Sequence, residues 1–286
     1  MRSPPAPAPP DFTIIHASDT HIAPASIGRT RRLKALVDSI RPAFVLLTGD
    51  LTRDALRVPE AEARGYFTLF EQEINTFSAP VWTVPGNHEI FGIERHLSLV
   101  SPAHPLYGRA MYRHYRGPDY YSFTYGGIHF VGLNTADIAD LWYYGHVDSI
   151  QVEWLKQDLA AVPSATPVVT FNHIPFFAAK ETVDGYRDTP PAPTVITVNG
   201  KARFRHTVSN AGEILAALAG RPYPLGLGGH LHTAERLSYP GLATRFHLAA
   251  AVIAPSSGAG LVFPSGITVY RVNAGRIDDG TFVPLP

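Results

Sequence analysis

Five times in this chain an apolar run stops abruptly at a side chain able to bind a metal. Val81-Trp82-Thr83-Val84-Pro85-Gly86-Asn87-His88-Glu89 is the fullest instance, with a β-branched run, a Pro-Gly stop, then an amide, an imidazole and a carboxylate. Phe12 to Ile15 leads into Asp19-Thr20-His21, and Phe44 to Leu47 leads into Gly49-Asp50. Val168 to Phe171 leads into Asn172-His173, and Leu225 to Leu227 leads into Gly229-His230-Leu231-His232. Delivering polar groups at the C-terminal ends of strands is how open α/β sheets build active sites. Any function has to be argued from this set.

The spaces between the runs read as helices in the first half. Leu33, Leu36, Val37 and Ile40 recur at helical spacing from Arg29 to Ile40, and Phe67, Phe70, Ile74 and Phe77 do so from Glu60 to Phe77. Strand, helix, strand, helix, strand is a βαβαβ start with right-handed crossovers. Ile90 to Arg116 is irregular. Tyr120 to Tyr125 and Ile128 to Leu133 read as a hairpin turned at Gly126-Gly127. Val147 to Ala161 reads as a helix with Ile150, Trp154, Leu155 and Leu159 inward, and Ala211 to Leu218 as a short one. Phe176 to Val208 is Pro-rich and poorly periodic, as expected of a long functional loop with one short hairpin. From Arg236 to Pro286 the pattern is strand and turn. An α/β half followed by a β-rich end points to two packed sheets with helices outside.

Composition removes several classes of function. With 286 residues and 45% hydrophobic content, residues 11–286 can form one large domain with a sizeable core. The 24 basic and 24 acidic residues cancel and the arginines are scattered, so no nucleic-acid partner is expected. The absence of cysteine rules out thiolate metal sites, disulfides and cysteine nucleophiles. No apolar stretch is long enough to span a bilayer. Met1 to Pro10 is Pro/Ala-rich without a signal-peptide core and reads as a disordered lead-in. The chain is then cytoplasmic, or exported if a targeting segment has been removed; the sequence does not give its oligomeric state.

Asp19 and His21, two residues apart, would share one face of a regular strand and reach one ion together, and His230 and His232 repeat the spacing. Asp50 supplies a carboxylate that can bridge two ions, Asn87 a neutral carbonyl oxygen and His173 one more imidazole. Oxygen and imidazole donors without sulfur suit Mn, Fe, Zn or Ni. Any one of these histidines alone reads better as a core or surface residue. A Gly-His-x-His pattern arises by chance roughly 0.05 times in a chain with 24 Gly and 13 His, and its weight comes from company at the other strand ends.

The order DxH, GD, GNHE, NH, GHxH resembles the calcineurin-like metallophosphoesterases, over about Phe12 to His232. The resemblance implies a β-sandwich of two mixed sheets flanked by helices, an α/β fold in four layers, around two metal ions. It implies that Asp19, His21 and His232 hold one ion, that Asn87, His173 and His230 hold the other, and that Asp50 bridges them. His88 would be the catalytic histidine outside the ligand set. Such a pair of ions clamps the attacking and leaving oxygens of an in-line displacement at phosphorus and activates a bridging hydroxide, and His88 can protonate the leaving group. The expected activity is hydrolysis of a small phosphomonoester or phosphodiester. A fold-retaining regulatory protein without catalysis is the alternative, though no ligand is missing. Arg53, where purple acid phosphatases carry a tyrosine ligand, places the chain nearer the bacterial phosphodiesterase-like branch. Glu89 or Asp54 is expected to orient His88.

HExxH peptidase chemistry is excluded because Gly92 follows His88-Glu89-Ile90-Phe91, and the HxHxDH signature of the metallo-β-lactamases is absent. Within Leu106 to Arg116, Arg113 and His114 are the expected substrate contacts. Tyr120, Tyr121 and Phe123 read as sheet packing. Trp142, Tyr143, Tyr144 and His146 read as site rim or core. His16, His129 and His247 read as structural, and His96, His104 and His206 carry no motif.

Overall fold

The central strands are buried along their whole length, and successive side chains enter different cores, three in all. The computed structural model describes residues 11–186, 193–258 and 260–285, so the expectation for Met1 to Pro10 lies outside the described residues. One six-stranded sheet runs Arg276–Ile277, Gly266–Asn273, Phe12–Ala17, Phe44–Thr48, Val81–Val84, with Thr281–Pro284 also paired to Gly266–Asn273. The other runs Glu235–Ser238, Arg245–Leu248, Leu225–Gly228, Val168–Asn172, Ile128–Leu133, Tyr121–Tyr125. Both are mixed: the strands that precede the metal-competent residues pair in parallel, and antiparallel strands close every edge except that at Val81–Val84.

Ile14, Leu46 and Val84 of the first sheet meet Phe130, Phe171 and Leu227 of the second in a core between the sheets. Their neighbours point the other way. Ile15, Val45 and Leu47 pack on Leu33 and Val37 of the helix Ile27–Ile40 and on Phe67 and Phe70 of the helix Glu60–Ile74. Val131, Leu133 and Val168 pack on Leu155 and Leu159 of the helix Ser149–Ala161 and on Ile214 and Leu218 of the helix Ala211–Leu218. The result is helix, sheet, sheet, helix, and each buried side chain of this kind contributes about 1.5–3 kcal/mol. No helix among the described residues is long and apolar enough to cross a membrane.

Two expectations change. Ile150 is 74% exposed rather than inward. The helix starts at Ser149 behind the cap Asp148, whose side chain accepts from Gln151 N, and this turns Gln151 and Val152 to the core instead. Gln151 then clamps the backbone of Asn134, accepting from its N at 2.8 Å and donating to its O at 2.9 Å. The stretch after Phe176 contains the expected hairpin, Val195–Val198 with Lys201–Phe204, and also a short helix, Lys180–Asp184. A second hairpin that periodicity did not reveal, Ala136–Ala139 with Trp142–Gly145, lies beside it.

Candidate metal centre

The polar stops of five strands converge where the two sheets meet. Gly229 N donates to His173 O at 2.8 Å within the second sheet, and His173 Nδ1 donates to Thr48 O of the first at 2.7 Å. The strand Phe12–Ala17 ends before Asp19, so Asp19 and His21 do not share a strand face as the spacing suggested. They lie in a loop with left-handed backbone, φ 56° and 38°, and Asp50, His230 and His232 are left-handed too, at 48°, 73° and 55°. Conformations of this kind cost free energy and persist only where surroundings over-determine them. Here main-chain bonds do so: Asp19 N to Gly49 O at 3.1 Å, His21 N to Asp50 O at 2.9 Å and Ile253 N to Asp19 O at 3.1 Å.

The glycines in GD, GN and GH are required by proximity. A Cβ at Gly86 would fall on the backbone nitrogen and carboxylate of Asp50, and one at Gly229 on the Ser18 hydroxyl. A Cβ at Gly49 would meet His173 Nδ1 and Gly86 N. Without side chains at these positions the loops can cross closely enough for their next residues to share one pocket.

Those next residues form two donor groups. Asp19, His21, Asp50 and His232 bring one ligand atom each within 4.8 Å of one another, and Asp50, His173 and His230 do the same. Asp50 belongs to both: its Oδ1 lies 3.2 Å from His173 Nε2 and its Oδ2 3.6 Å from His21 Nε2. Asn87 Oδ1 joins the second group at 3.2 Å from His173 Nε2, and His230 Nδ1 lies 3.1 Å from the same nitrogen. In the first group His232 Nε2 lies 3.1 Å from Asp19 Oδ1 and 3.3 Å from His21 Nε2. Asp19, Asp50, Asn87 and His173 are buried, while His21, His230 and His232 are partly so.

This donor set fits divalent cations. Asp19 Oδ1 is buried without a hydrogen-bond partner, and two carboxylates sit in a region of low dielectric. Burial, reinforced by His88, lowers His21 to about 4, and burial with His173 and His206 holds His230 well below the ordinary imidazole range. Both rings are therefore neutral and free to ligate. Burial also opposes the charge on Asp50, yet the His173 and His88 imidazoles outweigh it and hold the carboxyl well below the usual range. His173 is raised to about 9, because the Asp50 carboxylate overcomes the effect of burial. The pocket draws positive charge to the point where Asp50, Asn87, His173 and His230 meet.

His88 stands beside the first group, its ring centroid 4.6 Å from that of His21 and its Nε2 3.9 Å from Asp50 Oδ2. Its orientation comes from a carbonyl: Nδ1 donates to Arg53 O at 2.8 Å, which leaves Nε2 on the side of the centre. Neither carboxylate expected to orient it does so. Glu89 is buried and takes bonds from Thr52 N, Thr52 Oγ1 and Gly86 N, tying the GD and GN loops together. Burial and the nearby Asp50 charge raise it to about 7. Asp54 accepts from Leu56 N and pairs with Arg57.

The structure joins the seven expected ligands and His88 at this point, and it does not join Arg113 and His114 to them. Arg113 forms a two-point ion pair with Asp119, and His114 is exposed with its ring against Tyr115. The second group instead has two neighbours that carry no motif. Tyr143 meets His230 edge-on at 5.8 Å, and His206 meets the same ring at 5.0 Å. His16 is buried with Nε2 2.9 Å from Thr48 Oγ1, and His247 Nδ1 lies 2.8 Å from Tyr270 OH, so both are structural as expected.

Comparison with known proteins points the same way as the donor geometry. Residues 12–233 match the sequence model of a family described as calcineurin-like phosphoesterase. The 3′,5′-cyclic adenosine monophosphate phosphodiesterase CpdA of Escherichia coli K12 is 22% identical over 255 residues, covering 80% of this chain and 72% of the relative. A probable cyclic nucleotide phosphodiesterase of Rhodococcus erythropolis is 22% identical, covering 85% and 71%. Among solved structures, a dimetal phosphatase from Danio rerio superposes with a TM-score of 0.58 at 15% identity, covering 91% of this chain and 92% of that one.

Proposed function

The chain belongs to the calcineurin-like phosphoesterase family and is a phosphoric ester hydrolase, and on that premise we propose that it cleaves small phosphodiesters at a two-metal centre. The observation that carries this reading is the shared Asp50, whose two carboxylate oxygens face two separate donor groups. Asp19, His21 and His232 would hold one ion and Asn87, His173 and His230 the other, with Asp50 between them. When bound, two such ions polarise the phosphoryl oxygens and lower the pKa of an attacking water. Nitrogen and oxygen donors leave Mn, Fe, Zn and Ni as the candidates. Residues 11–286 then act as one domain. The names of the 22% identical relatives make cyclic nucleotides the first diesters to try.

The protein's own part in the reaction centres on His88. With Nδ1–H held by Arg53 O, its Nε2 can carry a proton to the departing alkoxide without rotating. Neutral His21 and His230 accept cations without first releasing protons. The buried Asp19, fixed by His230 N on Oδ2 at 3.1 Å, keeps its Oδ1 turned to His232.

The test is hydrolysis of bis(p-nitrophenyl) phosphate, p-nitrophenyl phosphate and 3′,5′-cyclic AMP by Mn-reconstituted protein, with a chelated control. Turnover should require metal and favour the diesters. His88→Ala should retain bound metal while kcat falls by about 10²–10⁴-fold. Metal-independent turnover, or loss of metal in His88→Ala, would reject the assignment.

A further inference from the structure

His206 mirrors His88 across the centre. His88 packs edge-on against a His of the first donor group with Nδ1 fixed by an oxygen at 2.8 Å, and His206 packs edge-on against His230 of the second with Nδ1 fixed by Glu181 Oε2 at 2.8 Å. In both, the anchored Nδ1 leaves Nε2 as the free nitrogen of a partly exposed ring.

The anchor of His206 is unusual. Glu181 is 1% exposed, its Oε1 has no hydrogen-bond partner, and its Oε2 accepts from His206 Nδ1. A buried carboxylate placed so is costly unless paired. The backbone on both sides of His206 is pinned as well. Arg205 is buried, donates to Tyr143 O and Pro193 O, and lies over the rings of Trp142 and Tyr143. On the other side Val208 N donates to Pro175 O, two residues beyond His173, and Thr207 packs on Gly145, where a Cβ would strike its carbonyl. His206 is thus held from both sides beside His230.

We propose that His206 is a second substrate-contacting imidazole, bound to a phosphate oxygen at the His173–His230 end of the centre, and that Glu181 is its positioning residue. A two-metal site works on two ends of an in-line displacement, and the pair of outer imidazoles then gives each end one directional side chain besides the ions. This inference rests on the phosphoesterase reading of the site.

The test compares wild type, His206→Ala and Glu181→Gln, all Mn-loaded, by bound metal, by calorimetric affinity for inorganic phosphate, and by kcat and KM on bis(p-nitrophenyl) phosphate. His206→Ala should keep both metals and weaken phosphate binding and kcat/KM by about 10- to 100-fold. Glu181→Gln, which keeps volume and a hydrogen-bonding oxygen, should shift the same quantities in the same direction by less. Unchanged phosphate affinity in both variants overturns the proposal, and so does loss of metal in His206→Ala, which would make the ring a support for His230. Phosphate affinity reads this contact even if no ester is turned over, so an inactive wild type would count against the function above and leave this comparison decisive on its own.

Discussion

The loop after Ala17 and the hairpin of Ala136–Ala139 with Trp142–Gly145 both border the histidine cluster, yet they are held by different forces. The loop is positioned by backbone bonds to its neighbours, with Asp19 N, His21 N and Ile22 N donating to Gly49, Asp50 and Leu51 carbonyls at 3.1, 2.9 and 2.9 Å. The hairpin has one such long-range main-chain bond, Ser209 N to Gly145 O at 2.8 Å, and is otherwise positioned by side chains from far along the chain. Arg205 stacks on Trp142 and Tyr143, and Arg109 joins Asp137, which in turn takes Tyr144 OH and His146 Nδ1. Main-chain positioning needs glycines and short loops, whereas side-chain positioning needs particular partners. The first sets the two donor groups, and the second sets the wall beside His230.

Gly86→Ala should produce the largest effect on this contrast. The backbone of Gly86 is extended, at φ −98° and ψ −170°, so any residue could adopt it, but the added methyl falls on the Asp50 main chain, which cannot move aside. Bound metal and turnover should disappear together, with stability lower by about 1–3 kcal/mol from overpacking. Metal analysis, kinetics and thermal melting check this, and an active variant with two ions would show that the GD and GN loops need no close crossing.

Arg205→Lys probes the wall and should do less. Lysine keeps the charge but loses the planar fork that bonds two carbonyls while stacking on two rings. Stability should drop by about 1–2 kcal/mol, and KM should rise severalfold with metal content and kcat preserved. If metal were lost here to the same extent as in Gly86→Ala, wall and centre would be one mechanical unit and the contrast would fail.

The same division decides what the sequence could reveal. Asp50, Asn87 and His230 each follow a glycine at a strand end, so residue type and position together mark them as candidates. The same pattern marks Asp19 and His21 as candidates, though left-handed backbone rather than a shared strand face brings them together. Strand alternation anticipated the two sheets, and 3.6-residue spacing anticipated the helices over them. Ile150 falls outside the buried face because it sits at its edge in the first turn, where Gln151 and Val152 take the inward positions above Leu155 and Leu159. Arg113 and His114 looked suitable by residue type alone, and Asp119, six residues on, claims Arg113. His206 was invisible because its anchor Glu181 lies 25 residues away and its neighbour His230 comes from another strand end. Contacts of that kind exist only after folding.

The smallest predicted effect sharpens the comparison by making the same substitution where nothing crosses. Gly65 lies mid-helix in Glu60–Ile74, is exposed, and an added Cβ there would meet no atom within 4 Å. Alanine lowers the backbone entropy lost on folding and is the better helix former, so Gly65→Ala should raise stability by about 0.5–1 kcal/mol and leave kcat, KM and metal content unchanged. Gly86→Ala and Gly65→Ala add the same methyl group, and neither position requires a positive φ. Opposite signs in the two melts would therefore isolate the loop crossing at Asp50 as the reason glycine precedes Asn87. A destabilised Gly65→Ala would instead mean that glycine is favoured in this fold for reasons beyond packing, and the argument from proximity would weaken at Gly49 and Gly229 as well.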